Sequence, residues 1–215
     1  MIIKSEEIHF GGERLMLTNH RAVYWEKPKT LILSDLHIGK TAHFRRSGIP
    51  ISSKVLEKDL ERLKLLINYF KVDKIVVVGD MFHAEINDDI NLFSKWLKDF
   101  KNIEWILVKG NHDKWKNELY EQLSISVVNS CNFDPFIMIH DLKDLKEDTF
   151  YISGHTHPGV SIKGKGKQRI KLPCYQLSDN QLQLPAFSLF TGLNTRKTTV
   201  MCVQYAFTEQ SIFKV

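Results

Sequence analysis

Runs of consecutive apolar residues, rather than alternating ones, mark the middle of this chain. Residues 75–78 read IVVV and residues 30–34 read TLILS, with no charged position between the apolar ones. Apolar runs rich in β-branched side chains are typical of strands that are buried on both faces of an α/β sheet. Residues 104–108 (EWILV) and 136–139 (FIMI) continue the series. The pattern predicts a central sheet built from these strands.

The segments between these strands have a helical period instead. In residues 52–70 the apolar side chains recur at intervals of three and four, with glutamate and lysine on the opposite face. Residues 89–100 repeat this pattern, and residues 114–123 predict a further helix. Because a strand–helix–strand crossover joins parallel strands, we expect the carboxyl ends of the apolar strands to meet at one edge of the sheet.

The two ends of the chain favour antiparallel β-structure. Gly11 and Gly12 separate two short strands, as in a tight hairpin turn. Beyond residue 158 strands and turns predominate, and residues 184–192 (LPAFSLFTG) predict a strand that bends near the core. No repeat, linker or low-complexity segment divides the sequence, so we expect a single domain spanning residues 1–215.

Composition and charge narrow the class of protein. With 215 residues, 43% of them hydrophobic and 26% charged, the chain can bury one sizeable core. A net charge of +5 favours anionic partners such as nucleic acid, although such a surplus also occurs in proteins that bind none. Cys131, Cys174 and Cys202 are odd in number and widely spaced, which predicts reduced thiols. With neither a signal peptide nor a membrane span in view, we expect a cytoplasmic protein.

Side chains that can bind a metal follow the apolar strands at the point where each strand ends. In chain order they are Asp35 and His37; Asp80; Asn111, His112 and Asp113; His140; and His155 and His157. Ligands of open α/β sheets bind at the carboxyl ends of strands. Mixed oxygen and nitrogen donors suit Mn²⁺, Fe or Zn²⁺. One polar strand end is ordinarily a turn or helix cap, whereas five in succession predict a metal site.

Two basic segments and one further histidine lie close to these motifs in sequence. Residues 38–50 carry Lys40, Arg45 and Arg46, and residues 163–171 (KGKGKQRIK) carry Lys163, Lys165 and Lys167. Each segment has two interpretations, a solvated connector or hairpin loop, or a contact to a phosphate backbone. His83 either touches a substrate or has a purely structural role.

The ordered series DLH, GD, GNHD, H and GHTH resembles the calcineurin-like metallophosphoesterase superfamily across residues 31–158. The resemblance implies an α/β (α+β) fold, a four-layer sandwich of two mixed β-sheets flanked by helices. It implies two divalent metal ions, manganese foremost, with iron or zinc as alternatives. Carried onto this sequence, it assigns Asp35, His37, Asp80 and His157 to one ion, and Asp80, Asn111, His140 and His155 to the other.

The chemistry implied by this centre is phosphoester hydrolysis by an activated water that attacks phosphorus in line. His112 would stabilise the transition-state charge or protonate the leaving oxygen, with Asp113 fixing its tautomer. Two rival hypotheses stay open at this point. One is a phosphomonoesterase or nucleotide phosphodiesterase that acts on small molecules, and the other is a metal-binding scaffold without activity.

A narrower resemblance covers most of the chain. The segments DLHIGKTAHFRRSGIP, GDMFH, GHTHPGV and LPAFSLFTG are similar to the ligase-associated, PdeM-like group of bacterial metallophosphoesterases. That resemblance implies a DNA-repair nuclease or phosphodiesterase acting on single-stranded DNA, with a DNA ligase and a helicase as partners. The sequence departs from the superfamily at Asp141, where glycine usually follows the histidine, and from the group at Ser188 and Leu193, where glycine is common.

Overall fold

The computed structural model describes residues 1–52, 54–83, 85–144, 146, 148–164, 166, 168–196, 198 and 201–215. Lys165 and Lys167, two of the predicted substrate contacts, lie outside the described residues. Within the described part of the chain two β-sheets face each other, and helices cover the outer face of the first. None of these helices is long and apolar enough to cross a lipid bilayer.

The strands of the first sheet lie side by side in chain order. They are β1 (Ser5–Phe10), β2 (Glu13–Thr18), β3 (Val23–Trp25), β4 (Thr30–Leu33), β5 (Lys74–Val78), β6 (Glu104–Val108) and β7 (Ile125–Val128). β1 to β4 pair antiparallel, whereas β4 to β7 pair parallel. The carboxyl ends of β4, β5 and β6 therefore open at one edge, as the crossover pattern predicts.

The helices pack on one face of this sheet. They are α1 (Lys40–Arg46), α2 (Lys54–Phe70), α3 (Asp88–Leu97), which continues into a 3-10 turn at Lys98–Phe100, and α4 (Asn117–Glu121). In β5, Ile75 and Val77 contact the helical layer, while Val76 and Val78 contact the second sheet. Both faces are buried, which explains why the run has no polar alternation. α4 is shorter than the predicted helix over 114–123.

The second sheet forms from the remainder of the chain. Its strands are β8 (Cys131–Phe133), β9 (Phe136–Met138), β10 (Phe150–Ser153), β11 (Gly159–Lys163), β12 (Arg169–Leu177), β13 (Gln181–Gln183), β14 (Val203–Phe207) and β15 (Ile212–Lys214). The spatial order is β15-β14-β12-β13-β10-β9-β8, with β11 paired to β12. β9, β10 and β13 pair parallel, and the other pairs are antiparallel.

The predicted α/β fold of two mixed sheets with helices is confirmed, and its outer cover differs from the prediction in one place. On the outer face of the second sheet, Val160 of β11 packs against Cys174 and Ala206. Among the described residues that follow β8 there is no helix, and β11 forms a β-hairpin with β12 instead.

The prediction of a bent strand over residues 184–192 is wrong. Apart from one bridge between Ala186 and Ser34, the segment is irregular and crosses the ends of β4 and β10. Side chains, rather than a neighbouring strand, satisfy much of its backbone. Arg62 of α2 donates to the Phe187 carbonyl, and Asp59 accepts from the Leu189 N–H. This buried arginine and aspartate pair holds the segment against the edge where the candidate ligands lie.

Candidate metal centre

Two groups of candidate ligands lie side by side at the carboxyl edge of the first sheet. Site 1 comprises Asp35, His37 and His157, and site 2 comprises Asp80, Asn111, His140 and His155. In each site the ligand atoms of the aspartate and the two histidines lie within 4.8 Å of one another. The Asn111 Oδ1 atom lies 3.2 Å from His140 Nε2 and 3.1 Å from His155 Nδ1. All of the predicted ligands therefore reach this edge; which ion each would hold stays a prediction.

Backbone conformation sets the ligands apart from their neighbours. Five of them adopt left-handed φ angles, 58° at Asp35, 49° at His37, 51° at Asp80, 70° at His155 and 49° at His157. Such conformations cost about 1–3 kcal/mol each in non-glycine residues and persist where the surrounding structure imposes them, typically at functional sites. Hydrogen bonds between adjacent strand ends impose them here, since Asp35 N–H donates to Gly79 O at 3.0 Å.

Two glycines allow the ligand loops to approach one another. A Cβ atom on Gly79 would overlap the His140 ring, and a Cβ atom on Gly154 would overlap the Ser34 side chain. Gly79 also has a φ of 84°, which L residues rarely adopt. A side chain at either position would push a ligand out of its site, so the G in GD and GHTH has a steric role.

Site 1 contains a buried histidine with the properties of a metal ligand. His37 is 5% exposed, and neither of its ring nitrogens has a hydrogen-bond partner. Burial, and then the positive charge of Lys40, lowers the pKa of His37 to about 3, so the ring is neutral. Asp35 lies beside it, with Oδ1 3.0 Å from His157 Nε2. An unpartnered lone pair next to a buried carboxylate fits a divalent cation.

Site 2 is organised around the buried carboxylate of Asp80. Its Oδ1 atom accepts the His112 N–H at 2.8 Å, and its Oδ2 atom lies 3.4 Å from His140 Nε2. Burial opposes ionisation, but the hydrogen bond and charge of His140 hold the pKa of Asp80 at about 2. His140 Nδ1 lies 2.9 Å from the Val78 carbonyl, an arrangement in which Nδ1 donates and Nε2 faces the site. The predicted bridging residue thus belongs to site 2, and its backbone carbonyl accepts the His37 N–H at 2.9 Å.

The two sites are linked by hydrogen bonds. Asp35 Oδ2 of site 1 accepts the backbone N–H of His155, a site 2 residue, at 3.1 Å. In site 2, His140 Nε2 and His155 Nδ1 lie 3.3 Å apart. Two imidazole nitrogens, a carboxamide oxygen and a carboxylate oxygen converge there. The donor set of each site therefore fits a cation.

His112 and Asp113 adopt positions that differ from the predicted pair. The His112 ring packs edge-on against His37 at 5.3 Å, and its Nε2 atom lies 4.0 Å from Asp80 Oδ2. Asp113 is buried, and its two oxygens accept the N–H groups of Phe82 and Gly110 at 3.0 and 2.9 Å. In the described structure no hydrogen bond joins Asp113 to the His112 ring, so the predicted tautomer-fixing role is wrong. Asp113 instead fastens the loop after β5 to the loop after β6.

The predicted substrate contacts separate into near and distant residues. Lys40 is close enough to Asp35 and Asp80 for their charges to raise its pKa, although burial outweighs them and lowers it. Arg45 and Arg46 are engaged in ion pairs with Asp89 and Glu85. His83 stacks on His112 at 5.4 Å. Lys163 is exposed in β11, four residues beyond Gly159 and so about 13 Å along the strand.

Two serines that support Asp35 were missed by the sequence analysis. Ser34 Oγ lies 2.6 Å from Asp35 Oδ2 and 2.6 Å from Val78 O. Ser188 N–H, in the irregular segment, donates to Asp35 O at 3.1 Å. A serine after an apolar strand is common in turns, so no local signal distinguishes Ser34. Only the position of LPAFSLFTG in the narrower resemblance directed attention to Ser188.

The fold and the paired sites define a metal-dependent phosphoesterase. A family model described as calcineurin-like phosphoesterase matches residues 28–155. Because this match covers more than half of the sequence, the chain belongs to the calcineurin-like phosphoesterase family. The family uses a dinuclear metal centre, in agreement with the two candidate ligand groups.

A solved structure shows the same fold. The crystal structure of Pseudomonas putida nuclease MPE aligns with a TM-score of 0.84 and 26% identity, over 99% of this chain and 100% of that one. The structure of Yfce, a phosphoesterase from E. coli, aligns with a TM-score of 0.45 and 14% identity, over 86% of this chain and 97% of that one. The second value is too low to support an argument. A search of curated proteins finds no match.

Metal binding should release protons. Burial alone would lower the pKa of His140, but the hydrogen bond to Asp80 and the charge of Asp35 outweigh it and raise the pKa to about 9. Because an imidazole ligand must be neutral, filling site 2 at pH 7.5 should release about one proton. The apparent affinity should rise about tenfold per pH unit below pH 9. Calorimetric titration with Mn²⁺ in buffers of different ionisation enthalpy measures both effects.

The exposed histidine His9 provides the control for this titration. His140→Gln should lose the proton release, and His9→Gln should keep it. A release that is absent from the unchanged protein, or one that His140→Gln retains, would contradict the assignment of His140 as a ligand.

Proposed function

We propose that this protein hydrolyses phosphodiester bonds in nucleic acid, with single-stranded DNA as its substrate and two Mn²⁺ ions as its cofactor. The observation that carries the proposal is the contact between two complete candidate ligand sets, through the hydrogen bond from His155 N–H to Asp35 Oδ2. When bound, a pair of divalent cations lowers the pKa of water and neutralises the phosphoryl oxygens. Asp35, His37 and His157 would hold one ion, Asn111, His140 and His155 the other, and Asp80 would be shared by both.

The exposure of the site supports a polymeric substrate. Site 1 lies deeper, with Asp35 at 0% and His37 at 5% exposure, whereas Asn111 and His155 are exposed to solvent. A phosphodiester within a longer chain can reach such an open edge. The nuclease from Pseudomonas putida, which shares 26% identity across nearly the whole chain, supports the same substrate class.

The side chains around the ligands supply the remaining chemistry. The His112 side chain is 40% exposed and lies beside Asp80, in a position to protonate the leaving oxygen. Lys40, next to both aspartates, would hold a nonbridging phosphate oxygen. His83 supports the His112 ring by stacking.

The wider setting of the proposal comes from the ligase-associated resemblance. We infer a role in DNA repair with a DNA ligase and a helicase as partners, in the cytoplasm, and a single domain over residues 1–215. Co-purification of the tagged protein with a ligase or helicase from its own cells tests the partners, and recovery of neither would count against them.

Three substrates separate the proposal from its main rival. The Mn²⁺-loaded protein should hydrolyse a bis-aryl phosphate and cleave labelled single-stranded DNA, and should act slowly on a mono-aryl phosphate. Hydrolysis of the monoester alone would contradict the nuclease function and favour a phosphomonoesterase. No hydrolysis of any of the three, with both metal ions bound, would favour a metal-binding scaffold.

The basic segment of residues 163–171 should matter only for long substrates. Changing Lys163, Lys165 and Lys167 to glutamine should weaken binding of long single-stranded DNA and leave hydrolysis of the bis-aryl phosphate unchanged. Each lost phosphate contact should reduce the slope of log K against log salt by about 0.7. Fluorescence anisotropy at several salt concentrations measures this slope.

Three exposed lysines on the polar face of α2 provide a matched control. They are Lys54, Lys58 and Lys64, and their change to glutamine removes the same charge from another surface. An equal effect of the two triple variants, or no effect of the variant in residues 163–167, would exclude a contact between this basic segment and the nucleic-acid backbone.

A further inference from the structure

A pair of partly exposed phenylalanines lies on two elements that lead away from site 1. Phe44 belongs to α1, which begins three residues after His37, and Phe190 lies two residues after Ser188. Their ring centroids are 5.5 Å apart with an interplanar angle of 82°. The Ser188 N–H donates to the Asp35 carbonyl, so both elements are anchored at site 1 ligands. The position of the pair is therefore fixed relative to the metal centre.

A row of rings joins this pair to the metal centre. His112, beside Asp80, stacks on His83 at 5.4 Å. His83 in turn lies 5.0 Å from His43, and the His43 ring lies 5.9 Å from that of Phe44. Each ring contacts the next, so the row runs without interruption from the candidate general acid to the two phenylalanines.

The phenylalanine pair is not explained by the packing of the core. The hydrophobic core clusters of the described residues include neither Phe44 nor Phe190. Leu189 and Ile49 beside them are 44% and 46% exposed. The result is an apolar surface with aromatic faces next to the metal centre, where the proposed substrate places a charged phosphate.

The charges around this surface favour a nucleobase over a phosphate. Arg46 pairs with Glu85, and Arg45 pairs with Asp89, so the two guanidinium groups are balanced by two carboxylates. A phosphate would gain little there, whereas the uncharged face of a base stacks on aromatic rings whatever its sequence. Nucleotides next to a phosphodiester at the metal centre must pass along one side of it.

We propose that Phe44 and Phe190 form a stacking site for a base that flanks the scissile phosphodiester of single-stranded nucleic acid. This inference rests on the proposed nuclease function and gives a structural reason for its preference for single-stranded DNA, because a base must be free of its partner to stack there. Loss of one stacked base should weaken binding on the order of tenfold.

The test combines changes in the protein with changes in the substrate. Phe44→Leu and Phe190→Leu retain an apolar side chain but remove the ring. With Mn²⁺ bound, each should raise KM for a single-stranded oligonucleotide on the order of tenfold and change hydrolysis of methyl aryl phosphate by less than about twofold. Single abasic residues are then placed at each position on both sides of the cleaved bond. At one of these positions the KM of the unchanged enzyme should rise by a similar factor.

The deciding experiment combines each leucine variant with the abasic oligonucleotides. At the position found in the scan, removing the base should not raise the KM of the leucine variants any further, because the stacking contact is already missing. Phe213→Leu, in β15, is the control, since Phe213 is 36% exposed and belongs to the far edge of the second sheet. In Phe213→Leu the abasic residue should raise the KM as much as in the unchanged enzyme. Phe190→Trp, with a larger ring, should have an unchanged or a lower KM.

The inference would be overturned if the leucine substitution and the abasic residue raised the KM independently at every position. It would also be overturned if no abasic position raised the KM of the unchanged enzyme. Either result would exclude a stacked base as the occupant of this surface. If one leucine variant fails to fold, the other, combined with the abasic scan, still decides. Failure of the proposed function would look different, because the unchanged enzyme would then hydrolyse the methyl aryl phosphate and leave every oligonucleotide intact.

Discussion

Replacing Asp80 by asparagine should reduce phosphodiesterase activity by at least about 10³-fold and lower the metal content of the protein. Asp80 is 2% exposed, and its Oδ2 atom faces His140 Nε2 at 3.4 Å. Asparagine keeps the shape of the side chain and an oxygen for the His112 N–H, but it removes the charge that a cation requires. The protein should therefore fold but bind fewer than two metal ions.

Metal analysis and hydrolysis of a bis-aryl phosphate measure the two effects together. Asp99→Asn, at an exposed aspartate of the 3-10 turn, is the control and should bind metal and hydrolyse substrate normally. An Asp80→Asn protein that keeps two metal ions and full activity would show that the chemistry takes place elsewhere.

Replacing His112 by asparagine should have an effect that depends on the leaving group. Loss of a general acid typically costs 10²- to 10⁴-fold, and an alkoxide leaving from DNA needs the proton whereas a nitrophenolate does not. The rate of DNA cleavage should therefore fall far more than that of bis-nitrophenyl phosphate. Because the His112 side chain is 40% exposed, its replacement should leave the fold intact.

The sequence leaves two roles open for His112, protonating the leaving oxygen or stabilising the transition-state charge. Single-turnover rates on the two substrates distinguish these roles, and His9→Asn is the exposed control. Equal losses on both substrates would assign it to stabilising transition-state charge rather than to protonation. Full activity on both would remove it from the mechanism.

The central strands could be predicted because their signal is local. An uninterrupted apolar run such as residues 75–78 has few alternatives to a strand buried on both faces. The convergence of ligands from five strand ends followed from the parallel crossover and from the resemblance. Neither depended on knowing where a particular side chain points.

What the sequence could not provide were contacts made at a distance. Asp113 follows His112 directly, yet the backbone turn sends its carboxylate to the Phe82 and Gly110 N–H groups instead. Asp59 and Arg62 are three positions apart on α2, where such a pair ordinarily lies on the surface. In the structure both are buried and hold residues 184–190 in place.

Two metal ions should bind next to each other at the sheet edge. A crystal structure of the Mn²⁺-loaded protein, with anomalous diffraction at the manganese edge, locates them. Two anomalous peaks about 3.5–4 Å apart are expected, one among the site 1 ligands and one among the site 2 ligands, with Asp80 touching both. A single peak, or peaks away from Asp35, Asp80 and His155, would contradict this expectation.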